Sequence, residues 1–222
     1  MSNSELPPST LDGSGVGVLD KGVAILQVLV AGPLDLGQLQ AATGLPRATA
    51  HRLAVALEHH HLVRRDSQGR FCLGFELIHF GRAATNGFPL AQVATPALTE
   101  LRNTTGESVQ LYVREGEMRR CVVSLQSNHA LRWIVPEGVS LPLGKGSAGR
   151  VLSDGGPSLA DSVEEREAGV ASVSAVVRDR QQVVIAAVSL SGPIERLTRT
   201  PVRRYGDAVV AAAEAVAAAV SR

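Results

Sequence analysis

Residues 35–60 read as two short helices joined at Thr43-Gly44-Leu45. Asp35 is placed to cap the first, which carries Leu36, Leu39 and Ala42 and stops at Gly44, a residue suited to a left-handed termination. Pro46 suits the first turn of the second, which runs to about His60 with Leu53, Ala56 and Leu57 on one face beside Thr49 or Ala50. Arg47, Ala48, His51, Arg52 and Val55 spread over the rest, so one stripe packs and the other is free. Two such helices around a glycine turn form a helix-turn-helix. An apolar helix from Leu19 to Val30 precedes them and is stopped by Gly32-Pro33. After them, Leu62–Arg65 and Arg70–Leu73 are short β-like runs around the turn Asp66-Ser67-Gln68-Gly69. The expectation is a winged helix-turn-helix over residues 18–74.

The whole chain carries a formal charge of only +1, yet that sum hides an uneven distribution. From Gly44 to Arg70 five arginines face Glu58 and Asp66, while from Asp154 to Glu167 five acids face only Arg166. The basic half is expected to meet double-stranded DNA. On the second helix Arg47, Ala48, Thr49, His51 and Arg52 would read base edges, since Arg pairs bidentately with guanine and small methyls touch thymine. Arg64, Arg65 and Arg70 would meet phosphate or the minor groove. His59-His60-His61 are adjacent residues pointing different ways, which suits a helix end better than a metal site.

Residues 1–17 are rich in Gly, Pro and Ser and read as a flexible arm. Phe75, Leu77, Ile78 and Phe80 lie on a linker helix over residues 75–87, and a second domain is expected over 88–222. There a helix follows Pro89 and stops at Gly106, and the period then switches to two. Val109, Leu111 and Val113 share one side of a strand, and Cys121, Val123 and Leu125 one side of the next. A second hairpin pairs residues 171–177 with 183–190; a loop centred on Arg180-Gln181 sets Ser172 opposite Ser189 and Ser174 opposite Ala187. A last helix starts at Thr200-Pro201. The class is α+β, with an antiparallel sheet and helices on one side. Aromatics are 3% of the chain, so its cores are built from Val, Leu, Ile and Ala.

Ser172, Ser174, Ser189 and Ser191 project on one side of that hairpin. Buried, such hydroxyls must bond a ligand, water or one another; the alternative is the solvated face of a sheet. Gly144-Lys145-Gly146-Ser147-Ala148-Gly149 matches GxGxxG but lacks a βαβ context. It reads instead as a loop entering a helix whose amides could hold a small carboxylate. Cys72 and Cys121 have no zinc or disulfide spacing and are expected to be packed thiols. Neither a signal peptide nor an apolar run of membrane-spanning length is present, so the protein is expected in the cytoplasm.

Taken together, several stretches resemble the IclR family of bacterial transcriptional regulators. They are Val18-Leu19-Asp20-Lys21, Ala42 through Leu53, the wing, Glu165 through Ser172, and Ala187 through Pro193. The similarity runs from about Gly15 to the end and is most specific in the helix-turn-helix. More narrowly, the chain is similar to an actinobacterial subgroup associated with leucine and other amino-acid biosynthesis genes. The resemblance implies a GAF-like effector domain, a homodimer formed through the N-terminal domains and able to pair into tetramers, a palindromic operator, and repression. It also implies that Trp133, Ser147, Ala148, Ser162, Ser172, Ser189 and Ser191 border an effector, with a small carboxylate or amino acid as its chemistry. No cofactor is implied. In one respect the chain departs from the family, which usually has a longer segment between Leu152 and Ser162, forming helices over the pocket. Here only Ser153 to Asp161 spans it.

Two other readings compete. An effector-blind DNA-binding protein fits the shortened cover. A serine hydrolase would use one of the strand serines, but no GxSxG elbow, no HExxH set and no histidine beyond His129 supports one.

Overall fold

The computed structural model describes residues 14–220. Residues 1–13, most of the expected arm, lie outside the described residues. The chain divides into two compact units, Met1–Ala84 and Thr85–Arg222.

The first unit contains α1 (Gly17–Leu29), α2 (Leu36–Thr43), α3 (Arg47–His59), β1 (Val63–Arg65) and β2 (Phe71–Leu73). Asp35 starts α2 through a reciprocal capping box: Gln38 N donates to Asp35 Oδ1 at 2.9 Å, and Asp35 N donates to Gln38 Oε1 at 2.9 Å. Such a cap contributes about 1 kcal/mol. Gly44 ends α2 at φ 68°, where a side chain would be strained. The core gathers Ile25, Leu29, Leu39, Ala54, Val63 and Phe71. On α3 the fully buried residues are Ala50 and Ala54, with Leu53 and Leu57 half-buried, whereas Ala56 is exposed. The inward stripe is thus rotated from the expected one, because one turn beyond Ala50 falls at Ala54. Strands β1 and β2 pair antiparallel, and Leu34 bridges to Phe71 on the far side of β2. Helix α4 (Glu76–Asn86) runs across the division between the units.

The second unit opens with α5 (Pro89–Thr105), β3 (Ser108–Glu115), β4 (Met118–Leu125), β5 (Ser140–Pro142) and α6 (Ser147–Leu152). It continues with β6 (Leu159–Val163), β7 (Val170–Arg178), β8 (Val184–Pro193), α7 (Ile194–Leu197) and α8 (Pro201–Val220). The six strands form one antiparallel sheet in the order β5-β4-β3-β8-β7-β6. The long helices α5 and α8 cover one face, over Val109, Leu111, Val123, Val173, Ala175, Val188 and Leu190. The short α6 packs on the other face, against Tyr112, Cys121 and Ala187.

Three details differ from the sequence reading. The second hairpin turns one residue later, so Ser172 pairs with Ser191 and Ser174 with Ser189. This is a two-residue shift against the expected partners, which leaves every side chain on its expected face. On β4 a bulge inserts Val122 between the pairs Leu111–Val123 and Tyr112–Cys121. Cys121 therefore turns away from Val123 and joins the α6 face. Finally, the short span after α6 is not all connection: Leu159–Val163 form the edge strand β6, paired with β7.

Candidate functional site

Helix α3 presents Arg47, Ala48, His51, Arg52 and Val55 to solvent. Arg47 and His51 stand one turn apart, as do Ala48 and Arg52, so the four form two adjoining lines of a single face. Thr49 is half-buried at its edge. Neither Arg47 nor Arg52 enters an ion pair among the described residues, so both guanidinium groups are available to an external acceptor. Val55 is 42% exposed and adds an apolar surface to the same face.

The wing arginines are held differently. Arg65 contacts Glu58 at 3.3 Å, donates to Gly69 O at 3.1 Å, and stacks 4.2 Å from the Phe71 ring centroid. Arg70 pairs with Asp66 at 2.7 Å. Asp66 Oδ1 also accepts from the backbone of Gln68 and Arg70, each at 2.9 Å, which shapes the turn. Burial opposes its charge, but these hydrogen bonds prevail and hold the carboxyl below its usual range. Arg64 stacks 4.8 Å from the Phe75 ring and has no acidic partner. Of the three wing arginines, Arg64 alone keeps an uncompensated charge among the described residues. His59, His60 and His61 sit at the end of α3, and no group of three or more His, Cys, Asp or Glu could hold a metal among the described residues.

In the second unit the α6 face of the sheet encloses a cavity. Trp133, Ser147, Ala148, Ser162, Ser172, Ser189 and Ser191, all seven residues singled out in the sequence, line it. The serines are bonded to one another: Ser147 Oγ lies 2.7 Å from Ser172 Oγ and 2.8 Å from Ser174 Oγ, and Ser174 Oγ donates to Ser189 Oγ at 2.9 Å. Ser191 Oγ donates to Gln110 Oε1 at 2.8 Å. Ser174, Ser189 and Ser191 are buried, so this is not the solvated face of the sheet.

Reading the sequence missed the residues that give the cavity its charge. Arg119, on β4, is 2% exposed, and its Nη1 donates to Pro142 O. It fits beneath α6 because Gly146 and Gly149 lack side chains; a Cβ on Gly149 would sit 2.7 Å from Arg119 Nη1. Burial lowers its pKa to about 10, which still leaves it charged at neutral pH. Tyr112 lies beside it, 5.5 Å from ring centroid to Arg119 Cζ, with its hydroxyl pushed up by burial first and by the neighbouring Cys121 second. Cys121 is in turn raised to about 12, chiefly by burial. The loop between β6 and β7 closes the mouth. Glu165 Oε2 accepts from Gly146 N at 3.0 Å and the same carboxylate pairs with Arg150, while Arg166 lies 6.0 Å from the Trp133 ring centroid. The amide expected to hold a carboxylate thus holds one from its own chain. The space open to the centre of a water-sized sphere is about 30 Å³, enough for very few waters.

A winged helix with an exposed basic face, in a chain whose other unit holds a polar cavity, defines a DNA-binding transcriptional regulator with a ligand-binding domain. Comparison with known proteins agrees. Residues 18–67 match the IclR helix-turn-helix domain, and residues 82–158 and 156–218 match the bacterial transcriptional regulator IclR C-terminal domain. The chain belongs to the IclR family. It is 29% identical to the HTH-type transcriptional regulator KipR of Bacillus subtilis over 133 residues, 60% of this chain and 53% of that protein. It is 25% identical to the transcriptional repressor IclR of Escherichia coli, with 89% of this chain and 88% of that protein covered. Its fold is similar to that of an IclR homolog from Microbacterium hydrocarbonoxydans complexed with 4-hydroxybenzoate (TM-score 0.77, 19% identity, 91% of this chain and 98% of that one). Family and relatives are regulators rather than enzymes. No described helix is long and apolar enough to cross a membrane.

Proposed function

We propose that this protein is a cytoplasmic, sequence-specific repressor of metabolic genes, amino-acid biosynthesis genes among them, relieved or reinforced by a small molecule in the second-unit cavity. The observation that carries the DNA side is the free basic face of α3, with Arg47 and Arg52 outside every ion pair among the described residues. Repression is supported by the similarity to the Escherichia coli repressor. Ligand control is supported by the seven convergent residues around the cavity and by the 4-hydroxybenzoate complex of the Microbacterium homolog. A homodimer joined through its first units, reading a palindromic operator, is supported by the large apolar side chains left exposed there. Among these are Val18 and Leu19 on α1, Ile78 and Phe80 on α4, and Phe75 just before α4. Helix α4, which runs from one unit into the other, is the proposed route of coupling.

The test is a titration of the protein against duplex from upstream of its own gene and against a scrambled duplex, at two salt concentrations, beside Arg52→Ala. Preference for the upstream duplex, weakened by salt and relaxed in Arg52→Ala by about 1–3 kcal/mol, is the expected result. Equal and feeble binding of both duplexes, followed by failure to select any sequence from random DNA, would refute the reading. The small volume of the cavity favours a second reading, an effector-blind regulator of the same DNA specificity.

A further inference from the structure

Among the described residues only two buried side-chain nitrogens lack a hydrogen-bond partner, Gln110 Nε2 and Arg119 Nε. Both residues line the same cavity, and both are almost fully buried, at 1% and 2% exposure. Unpartnered buried donors are costly, and a buried guanidinium is costlier still unless an anion compensates it. No described residue supplies such an anion to Arg119, whose one hydrogen bond among the described residues runs to a carbonyl. Of the two carboxylates that line the cavity, Glu165 is committed to Gly146 N and Arg150, and Glu167 makes no ion pair with Arg119. Room for the guanidinium has nevertheless been built, under the bare backbones of Gly146 and Gly149.

The two donors reach the cavity from different ends. On the α6 face of β3, Gln110 and Tyr112 are successive residues, and Arg119 on β4 pairs with Arg114, one further step along that face. Tyr112 therefore stands between them. At the Gln110 end the acceptor Oε1 is taken by Ser191, so the amide offers only its N–H.

We infer that Arg119 and Gln110 are the specificity-determining pair of this cavity: it takes a small organic anion whose charge meets Arg119 and whose second acceptor group meets Gln110, such as a hydroxy acid or a dicarboxylate. The inference rests on the ligand-controlled reading above and deepens it, since it assigns the residues and the two-point chemistry. The serine network satisfies itself and shapes the wall; the two unpaired donors read the ligand.

The test uses the full chain and follows thermal melting and calorimetric titration at constant ionic strength. The probes are glycolate, lactate, malonate and succinate, each beside its neutral amide, on the wild type, Arg119→Met, Arg119→Lys and Gln110→Leu. At least one acid is expected to bind and raise the melting temperature while its amide does not. Arg119→Met should weaken that binding by about 10- to 100-fold, Arg119→Lys by less, and Gln110→Leu should narrow the gap between these two-acceptor acids and acetate, titrated as the one-acceptor reference on every variant. Without ligand, Arg119→Met should melt no lower than the wild type, because methionine replaces an uncompensated cation. If Arg119→Met does not fold, Arg119→Lys decides alone, and unchanged acid affinity there counts against the pair. Amides binding as well as acids, or acids binding Arg119→Met undiminished, would overturn the inference while leaving a ligand-controlled regulator standing. Should no probe shift the wild type at tens of millimolar while specific DNA binding is intact, the inference falls, and the effector-blind regulator becomes the favoured reading.

Discussion

Ser174 shows how the cavity wall is held. It is completely buried and bonded to both Ser147 and Ser189, which ties α6 to the middle of the sheet. Ser174→Ala removes the hydroxyl without adding an atom and leaves two buried hydroxyls each short of a partner. We expect a loss of about 1–3 kcal/mol in urea unfolding. Cys121 offers a second residue-scale prediction. Burial favours its neutral thiol, so its pKa rises from 9.0 to about 12. A group with a raised acid pKa holds its proton in the fold and loses it in the unfolded chain. Stability should therefore decline as pH climbs above about 9, where the unfolded thiol ionises, and the decline should continue toward 12. Unfolding measured at pH 7 and pH 10 should show a smaller drop in Cys121→Val than in the wild type, and an equal drop would contradict the burial argument.

At the scale of elements, the wing is more electrostatically settled than its composition suggests. Arg65 and Arg70 are already engaged by Glu58 and Asp66, whereas Arg64 has no acidic partner. Arg64→Ala should weaken binding to all duplexes alike and lower the salt slope by roughly one, with smaller effects for Arg65→Ala and Arg70→Ala. Salt titrations of the three variants on one scrambled duplex would separate them. The helix-turn-helix was legible in the sequence because its signals are local: Asp35 caps, Gly44 stops, and a helical period marks the inward face. The serine face was legible for a related reason, since a two-residue slip preserves facing. Arg119 was not legible. Counting alternate residues along β4 groups it with Val123, on the face that α5 and α8 cover, and only the bulge at Val122 sends it to the other side. Nothing in the local residues announces that bulge, which is fixed by the pairing with β3. Gln110 carried a signal that could have been used, a polar residue alternating between Val109 and Leu111.

For the whole molecule, the two proposals are joined by linkage. If an anion in the cavity changes affinity for DNA by some factor, the operator must change affinity for the anion by the same factor, and calorimetry with and without duplex would check it. The palindrome carries its own requirement. Sedimentation equilibrium should return about twice the chain mass of 23.2 kDa, and a monomer at concentrations that saturate DNA would remove the twofold argument.

The extra residue on β4 bears on how such sensors change over generations. Because Val122 is the extra residue of the bulge, loss of its codon would leave a regular strand in which Arg119 still pairs with Arg114 and faces the cavity, whereas closing the bulge with Val122 retained and paired with Tyr112 would swing the arginine out, with no substitution at any ligand-facing position. Changes that open or close the bulge are therefore a route to new ligand preferences that leaves every ligand-facing residue in place.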